Sequence, residues 1–317
     1  MVNDKTHNVA VIGAGYMARE HISAFQDIPG VKIAGISSRT RSKAETLSIG
    51  YGIPFVCDSI DELYDRTKAE LVVVTVPELS ANHVSRTCFS YPWVCLLEKP
   101  AGYNLADAES IISSAREKGA RAFVALNRRF YSSTRSALSD LKQANGRRFI
   151  HVQDQEDQRR ALLAGQPQTV VDNWMYANSI HLIDYFMLFG RGKITAVTPI
   201  TPWDPKFPWV VTASIQYSSG DMGLYEGVWN APGPWFVDVF TPEKRWEMRP
   251  LEQAAYQLAG ERKMEHLEPS LWDRNFKPGL RLQAAEAISA VNGMPTELPT
   301  LEDSLKSMKL VHRIFNA

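Results

Sequence analysis

The chain has 317 residues, more than a single hydrophobic core usually supports, so its length predicts two domains. Its 35 basic and 35 acidic residues give a formal net charge of zero, which argues against nucleic acid or an anionic membrane as the main partner. Three cysteines do not make a disulfide framework, and the N-terminus lacks the apolar core of a signal peptide, so a cytoplasmic protein is expected. The seven histidines show no metal-ligand spacing, and no metal site is predicted.

Strand and helix patterns alternate along the first 126 residues. The predicted strands are Asn8–Ile12, Val31–Ile36, Phe55–Cys57, Leu71–Val76, Val94–Leu97 and Ala122–Leu126. The predicted helices between and after them are Met17–Asp27, Ser42–Tyr51, Ile60–Tyr64, Ala81–Ser90 and Leu105–Lys118. This β-α repetition predicts a doubly wound parallel sheet, and we assign residues 1–126 to a nucleotide-binding domain.

The pattern changes after residue 126. A helix is predicted from Ser133 to Lys142, and alternation over residues 211–217 predicts a half-buried antiparallel strand that turns at 218–221. The remaining predicted elements are strands Met222–Trp229, Trp235–Phe240 and Arg245–Arg249 and helices Gly279–Val291 and Leu301–Phe315. Residues 127–317 are therefore predicted to form an α+β domain with an open, mostly antiparallel sheet. A sheet face rich in Trp, Phe and Val would be an aggregation hazard if left bare, so we expect this face to form a homodimer or homotetramer.

A glycine turn joins the first strand to the first helix. Gly13 permits a tight turn, Gly15 lets the backbone approach a pyrophosphate, and Ala18 provides the small residue where helix and strand pack closely. Tyr16 and Met17 open the helix, whose N-terminal amides favour phosphate groups. Strand, turn, helix and second strand follow in register, and this context predicts a dinucleotide cofactor.

The end of the second strand bears on the choice of cofactor. An acidic side chain that would hold the ribose hydroxyls of NAD is missing there, and Ser38, Arg39 and Arg41 occupy the segment instead. These residues suit a 2′-phosphate, so NADP is preferred and NAD is the alternative. The competing interpretation is that both arginines are simply solvated at the end of a strand.

The tripeptide Glu98-Lys99-Pro100 follows the buried run Val94–Leu97. A lysine at the carboxyl end of a parallel strand lies where open α/β sheets bind their ligands. Because a dinucleotide turn opens the same chain, we expect Lys99 to face the cofactor rather than to be an ordinary surface lysine.

Taken together, the motifs resemble those of the glucose-fructose oxidoreductase / inositol dehydrogenase / rhizopine-catabolism (Gfo/Idh/MocA) oxidoreductases. The matching pieces, in the family's order, are Gly13–Ala18, Val76-Pro77 with His83, Glu98-Lys99-Pro100, Asn127-Arg128-Arg129-Phe130 and His181-Leu182-Ile183-Asp184. The resemblance implies a Rossmann domain, a C-terminal α/β domain with an open sheet, and NAD(P)-linked redox chemistry on a sugar, a polyol or a nucleotide-linked sugar.

The resemblance also implies the catalytic residues, which are Lys99 and His181 on opposite sides of the nicotinamide. Histidine titrates near neutral pH and suits exchange of the hydroxyl proton, and lysine can stabilise charge on the same oxygen. Pro77, His83 and Glu98 are expected in the cofactor loop or beside it. The expected substrate residues are Arg128, Arg129, Tyr176, Asn178 and His181.

One position departs from the family pattern. The family's aspartate four residues before the histidine is Ala177 in this chain, and Asn178, Tyr176 or Asp172 could only partly replace it. The missing carboxylate should make His181 less basic, which puts the direction of the reaction in doubt. Two alternatives to a dehydrogenase therefore stay open: a regulatory or binding homologue without catalysis, and an enzyme that uses a tightly bound cofactor transiently.

Overall fold

The computed structural model describes residues 6–316. The chain divides into two compact units. The first extends through Asn127 and takes in Trp272–Leu305, and the second contains Arg128–Leu271 and the residues from Lys306 onward.

The first unit contains a parallel sheet with helices between its strands. Its strands are β1 (His7–Ile12), β2 (Val31–Ser37), β3 (Phe55–Cys57), β4 (Leu71–Val74), β5 (Val94–Glu98) and β6 (Arg121–Ala125). The helices that connect them are α1 (Tyr16–Gln26), α2 (Arg41–Tyr51), α3 (Ile60–Thr67), α4 (Glu78–Cys88) and α5 (Leu105–Glu117). Their order in the sheet is β3-β2-β1-β4-β5-β6, with every neighbouring pair parallel. This is the doubly wound Rossmann order, as the sequence predicted, and its strand order reverses between β1 and β4.

The central strands are buried along nearly their whole length. All four residues of β4 and the first four of β5 are buried, because helices cover both faces of a parallel sheet. The cysteines Cys57, Cys88 and Cys95 are free and lie in this core. Burial raises the pKa of the Cys88 thiol to about 12, so these thiols are inert.

The C-terminal helices are divided differently from the prediction, which placed all of 127–317 in the second domain. A short helix α10 (Leu271–Asn275) and helix α11 (Leu280–Val291) precede α12 (Leu301–Phe315), and Trp272–Leu305 belongs to the first unit. The edge strand β6 supplies the reason. The Val124 backbone N–H donates to the Pro299 carbonyl at 2.9 Å, which satisfies a donor that an edge strand leaves bare. Sequence periodicity cannot reveal such a return of the chain.

The second unit is built on a mixed sheet. Its first elements are a 3₁₀ turn (Asn127–Phe130), α6 (Ser132–Leu141), β7 (Phe149–Glu156), α7 (Gln158–Leu163), α8 (Gln168–Asp172), a π-helical turn (Met175–Ser179) and α9 (Ile180–Phe189). The later strands are β8 (Ile194–Thr201), β9 (Val210–Tyr217), β10 (Met222–Trp229), β11 (Phe236–Phe240), β12 (Lys244–Met248), β13 (Ala254–Leu258) and β14 (Glu265–Leu267).

These strands form an eight-stranded sheet in the order β14-β13-β12-β11-β7-β10-β9-β8. Within this sheet, only the β7–β10 pair is parallel among the strands that the structure describes, so the prediction of an open, mostly antiparallel sheet is confirmed. The sequence prediction missed β7, which lies inside the sheet. Its buried face carries Asp154 and Glu156 at positions where the alternation rule expects apolar residues.

Within residues 6–316, no helix combines the length and the apolar character that a membrane crossing requires.

Candidate functional site

Several predicted site residues of the first unit follow strand ends that stand side by side. The last residue of β1, Ile12, pairs with Ser37 on β2 and with Val74 on β4, and Val74 pairs with Leu97 on β5. The segments that begin at Gly13, Ser38 and Glu98 therefore start at the same edge of the sheet. This is the carboxyl edge at the strand-order reversal, where doubly wound sheets bind ligands.

The glycine turn has the geometry that a pyrophosphate requires. Gly13 has φ of +109°, and a Cβ there would lie 2.4 Å from the Thr75 carbonyl oxygen, so no other residue fits without strain. Gly15 is the N-cap of α1 and makes no side-chain cap, and a Cβ on it would meet no atom within 4 Å. The first-turn amides of α1 thus face open space beside a glycine, which fits a dinucleotide phosphate.

The other residues of this turn agree with that assignment. Ala18 is fully buried between the helix and the sheet, as the third small position requires. Tyr16 is 57% exposed, and the Arg19 guanidinium and the Lys277 ammonium lie 5.2 Å and 5.4 Å from its ring centroid. Met17 is half-buried. Two cations therefore stand close to the turn that would receive phosphates.

The predicted 2′-phosphate residues divide into two groups. Arg39 is exposed and makes no hydrogen bond or ion pair within residues 6–316. Arg41 donates to Glu45 at 2.9 Å and to Asp58, and these carboxylates raise the pKa of its guanidinium. The Ser38 hydroxyl accepts from the Thr40 backbone N–H at 3.3 Å. Arg39 is therefore available to an anionic ligand, whereas Arg41 is already neutralised.

Glu98 is held between a helix and the backbone of the catalytic candidate. One carboxylate oxygen lies 2.7 Å from Nε2 of His21 on α1, and the other accepts the Lys99 backbone N–H at 3.1 Å. His21 is only 1% exposed. Sequence reasoning missed His21, although its place on the first helix after the glycine turn was a usable signal.

Pro77 and His83 lie on the segment that follows β4. Pro77 is the N-cap of α4, and its carbonyl accepts the Ser80 N–H at 2.8 Å. His83 is exposed in the second turn of the helix. Their positions on this segment do not by themselves assign either side chain to a cofactor, so the role predicted for Pro77 and His83 remains a prediction.

In the second unit, His181 lies in the first turn of α9, directly after the π-helical turn. It is 9% exposed, and Ala177 inside the turn is 3% exposed. The Tyr176 hydroxyl lies 3.4 Å from Nδ1 of His312, and burial raises the pKa of Tyr176 to about 12. Tyr176 is therefore a neutral hydrogen-bonding group near neutral pH.

The two arginines predicted at the substrate have different environments. Arg129 forms a bidentate pair with Asp184, with both N–O distances 2.7 Å, and the Ser307 hydroxyl donates to the same carboxylate at 2.6 Å. The Arg128 guanidinium lies 4.4 Å from the ring centroid of Trp235. Arg129 is thus a structural partner of Asp184, and Arg128 is the stronger substrate candidate.

The structure also shows the contacts of Asn178 and Asp172, two candidates to replace the missing carboxylate. The Asn178 side-chain amide donates to both oxygens of Glu156, at 3.0 Å and 2.8 Å, and the Trp174 indole N–H donates to Glu156 at 2.6 Å. Asp172 is exposed and accepts from Gln168 at 2.7 Å. The carboxyl group that faces this helical turn therefore comes from β7, which sequence spacing could not indicate.

No group of three or more His, Cys, Asp or Glu within the described part of the chain could hold a metal ion.

Comparison with known proteins relates the first unit to a family. Residues 7–126 match the model of the Gfo/Idh/MocA oxidoreductase family with an NAD-binding Rossmann fold. The 4-carboxy-2-hydroxymuconate-6-semialdehyde dehydrogenase of a Sphingobium strain is 25% identical over 216 residues, which cover 67% of this chain and 68% of that enzyme.

Solved structures share the whole fold. The aldose-aldose oxidoreductase of Caulobacter crescentus superimposes with a TM-score of 0.82 at 18% identity, covering 99% of this chain and 97% of that one. The UDP-N-acetylglucosamine 3-dehydrogenase of Acidithiobacillus ferrooxidans gives a TM-score of 0.78 at 15% identity, covering 98% and 97%. The Rossmann unit is thus matched by the Gfo/Idh/MocA oxidoreductase family model, and the whole chain shares its fold with solved oxidoreductase structures.

Proposed function

We propose that the protein transfers a hydride between a nicotinamide cofactor and a hydroxyl or carbonyl carbon of a sugar, a polyol or a nucleotide-linked sugar. A single observation carries the proposal. The open glycine turn and Lys99 follow neighbouring strands and lie at the same carboxyl edge of one sheet.

The residues of the first unit would hold the cofactor. Gly13 and Gly15 admit the pyrophosphate to the N-terminus of α1, with Tyr16, Met17 and Ala18 continuing the turn. When bound, the nicotinamide supplies the carbon that accepts or donates the hydride. A cofactor with a 2′-phosphate is favoured because Arg39 is exposed and the end of β2 carries no acid, so we propose NADP in preference to NAD.

Lys99 would donate a hydrogen bond to the substrate oxygen and stabilise the negative charge that develops there. Glu98 supports this role because one of its carboxylate oxygens accepts the Lys99 backbone N–H, while the other oxygen is hydrogen-bonded to His21. We therefore infer that His21 and Glu98 are positioning residues for Lys99.

His181 would exchange the hydroxyl proton with the substrate. Its place in the first turn of a buried helix limits its motion, which favours a fixed proton-transfer geometry. Arg128, stacked on Trp235, would offer its guanidinium to the substrate's oxygen atoms.

The sheet of the second unit supports a proposal on assembly. Phe149, Met222 and Leu258 are 37%, 51% and 39% exposed on its strands. Apolar groups of this size on an open sheet favour burial against a second copy, so we propose a homodimer or homotetramer, testable by sedimentation of the purified protein.

A pair of glycine substitutions tests the cofactor site. Gly15→Leu adds a side chain to open space, so it should leave the melting temperature nearly unchanged and abolish NAD⁺ and NADP⁺ binding in calorimetry. Gly13→Ala is the matched control, since its Cβ would collide with Thr75 and lower stability. Normal cofactor binding by a folded Gly15→Leu variant would overturn the assigned site.

Turnover is tested with both nicotinamides and a panel of aldoses, inositols and nucleotide sugars, followed by nicotinamide absorbance. Oxidation or reduction by the wild type that is lost in Gly15→Leu is the expected result. Cofactor binding without turnover of any panel member would favour the non-catalytic homologue, and cofactor that co-purifies without net turnover would favour transient use.

A further inference from the structure

Strand β7 carries two acids into the interior of the second unit. Asp154 is 0% exposed and Glu156 is 2% exposed, both on the face that also holds Ile150 and Val152. Acids are almost never buried without partners, because an isolated charge in a protein interior is costly. The partners of these two groups therefore indicate why the chain keeps them.

Glu156 reaches both ends of the π-helical turn Met175–Ser179. The Trp174 indole, at the N-cap of the turn, donates to Glu156 at 2.6 Å, and the Asn178 amide, near its end, donates at 2.8 Å and 3.0 Å. π-helical turns are rare, and those that occur are often found at functional sites. The three side-chain hydrogen bonds therefore tie both ends of this turn to one carboxyl group of β7.

Asp154 stabilises the neighbouring part of the strand. It accepts the Tyr225 hydroxyl of β10 at 2.8 Å. Burial raises the pKa of both carboxyls, and the Asp154 carboxyl raises the pKa of Glu156 further. The pair therefore keeps a proton at a pH where exposed carboxyls have lost theirs, which limits the repulsion between them.

From these contacts we propose that Glu156 is a positioning residue, which fastens the π-helical turn to β7 and thereby sets the place of His181 two residues after that turn. The chain continues without interruption from Ser179 into α9, so a displacement of the turn moves His181 as well. The inference rests on the proposed function only where it gives His181 a part in proton transfer.

Substitution of the donor and the acceptor separates this role from ordinary stability. Glu156→Gln keeps the shape but leaves at least one N–H donor facing another donor, and Trp174→Phe removes a single N–H. The matched control is Asp140→Asn, because Asp140 also accepts an indole N–H, from Trp246 at 2.7 Å, and holds Lys244 in the same unit. The control thus breaks a similar bond away from the π-helical turn.

The measurement is hydrogen exchange of the full-length protein together with histidine-selective NMR. Glu156→Gln should raise exchange over residues 174–181 by about tenfold or more and shift the His181 resonance, which is assigned by its loss in His181→Asn. Trp174→Phe should change both in the same direction by a smaller amount, and Asp140→Asn should change neither. If Glu156→Gln does not fold, Trp174→Phe decides alone.

Folded Glu156→Gln or Trp174→Phe proteins with wild-type exchange over 174–181 and an unshifted His181 resonance would overturn the proposal. In an active preparation, Glu156→Gln should lower kcat by about 10- to 100-fold with an unchanged KM for the nicotinamide. A His181→Asn variant with full turnover would instead refute the proposed role of His181 and leave the fastening by Glu156 intact, so the two failures are distinguishable.

Discussion

The two units assemble their candidate residues in different ways. In the first unit, short motifs follow strands whose ends lie in register, so the pairing of the strands brings Gly13, Ser38 and Glu98 to one edge. In the second unit, the buried candidate residues take partners from other elements, as with Glu156 on β7 and Asn178 in the π-helical turn, 22 residues apart.

This difference has a physical origin. A parallel sheet converts local sequence into a shared edge, because every strand runs in the same direction and ends at the same side. The buried acids and arginines of the second unit must instead be hydrogen-bonded, and the packing of the elements decides which residues are their partners. A motif search therefore finds the candidate phosphate-binding turn of the first unit, whereas in the second unit it finds candidate residues without their partners.

The largest expected effect tests the first unit. Lys99→Met should lower kcat by about 100- to 1,000-fold with nearly unchanged cofactor affinity, because the role proposed for the ammonium is to stabilise charge that develops in the transition state. Stopped-flow turnover with calorimetric cofactor binding measures both quantities. Lys32→Met, an exposed lysine near the amino end of β2, is the control and should behave as the wild type. Equal loss of catalysis and cofactor binding in Lys99→Met would contradict the assignment of Lys99 to catalysis and of the glycine turn to cofactor binding.

The next effect tests the long-range pairing of the second unit. Arg129→Ala leaves the Asp184 carboxylate buried without its bidentate partner, and the free energy of unfolding should fall by about 3 kcal/mol. Arg116→Ala in the first unit removes an exposed pair with Glu302 and should cost under about 1 kcal/mol. Urea unfolding of both variants measures the contrast, and equal losses would contradict it.

A third prediction concerns acid stability. Burial alone would raise the pKa of Asp221, but hydrogen bonds from the Arg191 guanidinium and from the backbone of Arg148 and Arg191 lower it to about 2. Because the folded pKa is depressed, this stabilisation is full above about pH 4 and is lost as the pH falls toward about 2. The loss amounts to about 2 kcal/mol.

Urea titrations across this pH range check whether the free energy of unfolding falls as the pH is lowered. Asp221→Asn should be less stable than the wild type near neutral pH and should lose less stability on acidification. A parallel pH dependence in the two proteins would show that Asp221 is not the titrating group.

The smallest effect separates two arginines at the end of β2. Arg39→Ala should weaken NADP⁺ binding by about tenfold and leave NAD⁺ binding unchanged, because only NADP⁺ carries the 2′-phosphate. Arg41→Ala should have less effect, since Asp58 and Glu45 already neutralise that guanidinium. An unchanged ratio of the two affinities in Arg39→Ala would favour simple solvation of both side chains.

Sequence patterns predicted most of the fold. The β-α repeats, the parallel sheet and the open, mostly antiparallel second sheet follow from periodicity, and Phe55–Cys57 and Met222–Trp229 have the predicted bounds. Strand β7 was not predicted, because Asp154 and Glu156 occupy its buried face and interrupt the apolar alternation. The place of Trp272–Leu305 in the first unit was not predicted either, since the hydrogen bond between Val124 and Pro299 joins residues far apart in the chain.

The sequence by itself determined the glycine turn and the place of Lys99 after a buried strand, because each depends on neighbours within a few positions. Only the tertiary structure decided that Arg41 and Arg129 are neutralised, that His21 supports Glu98, and that a carboxyl of β7 faces the turn where the family has an aspartate. The reason is that charge and hydrogen-bond satisfaction are settled by whichever side chain packing brings within about 3 Å, and local spacing does not specify that partner.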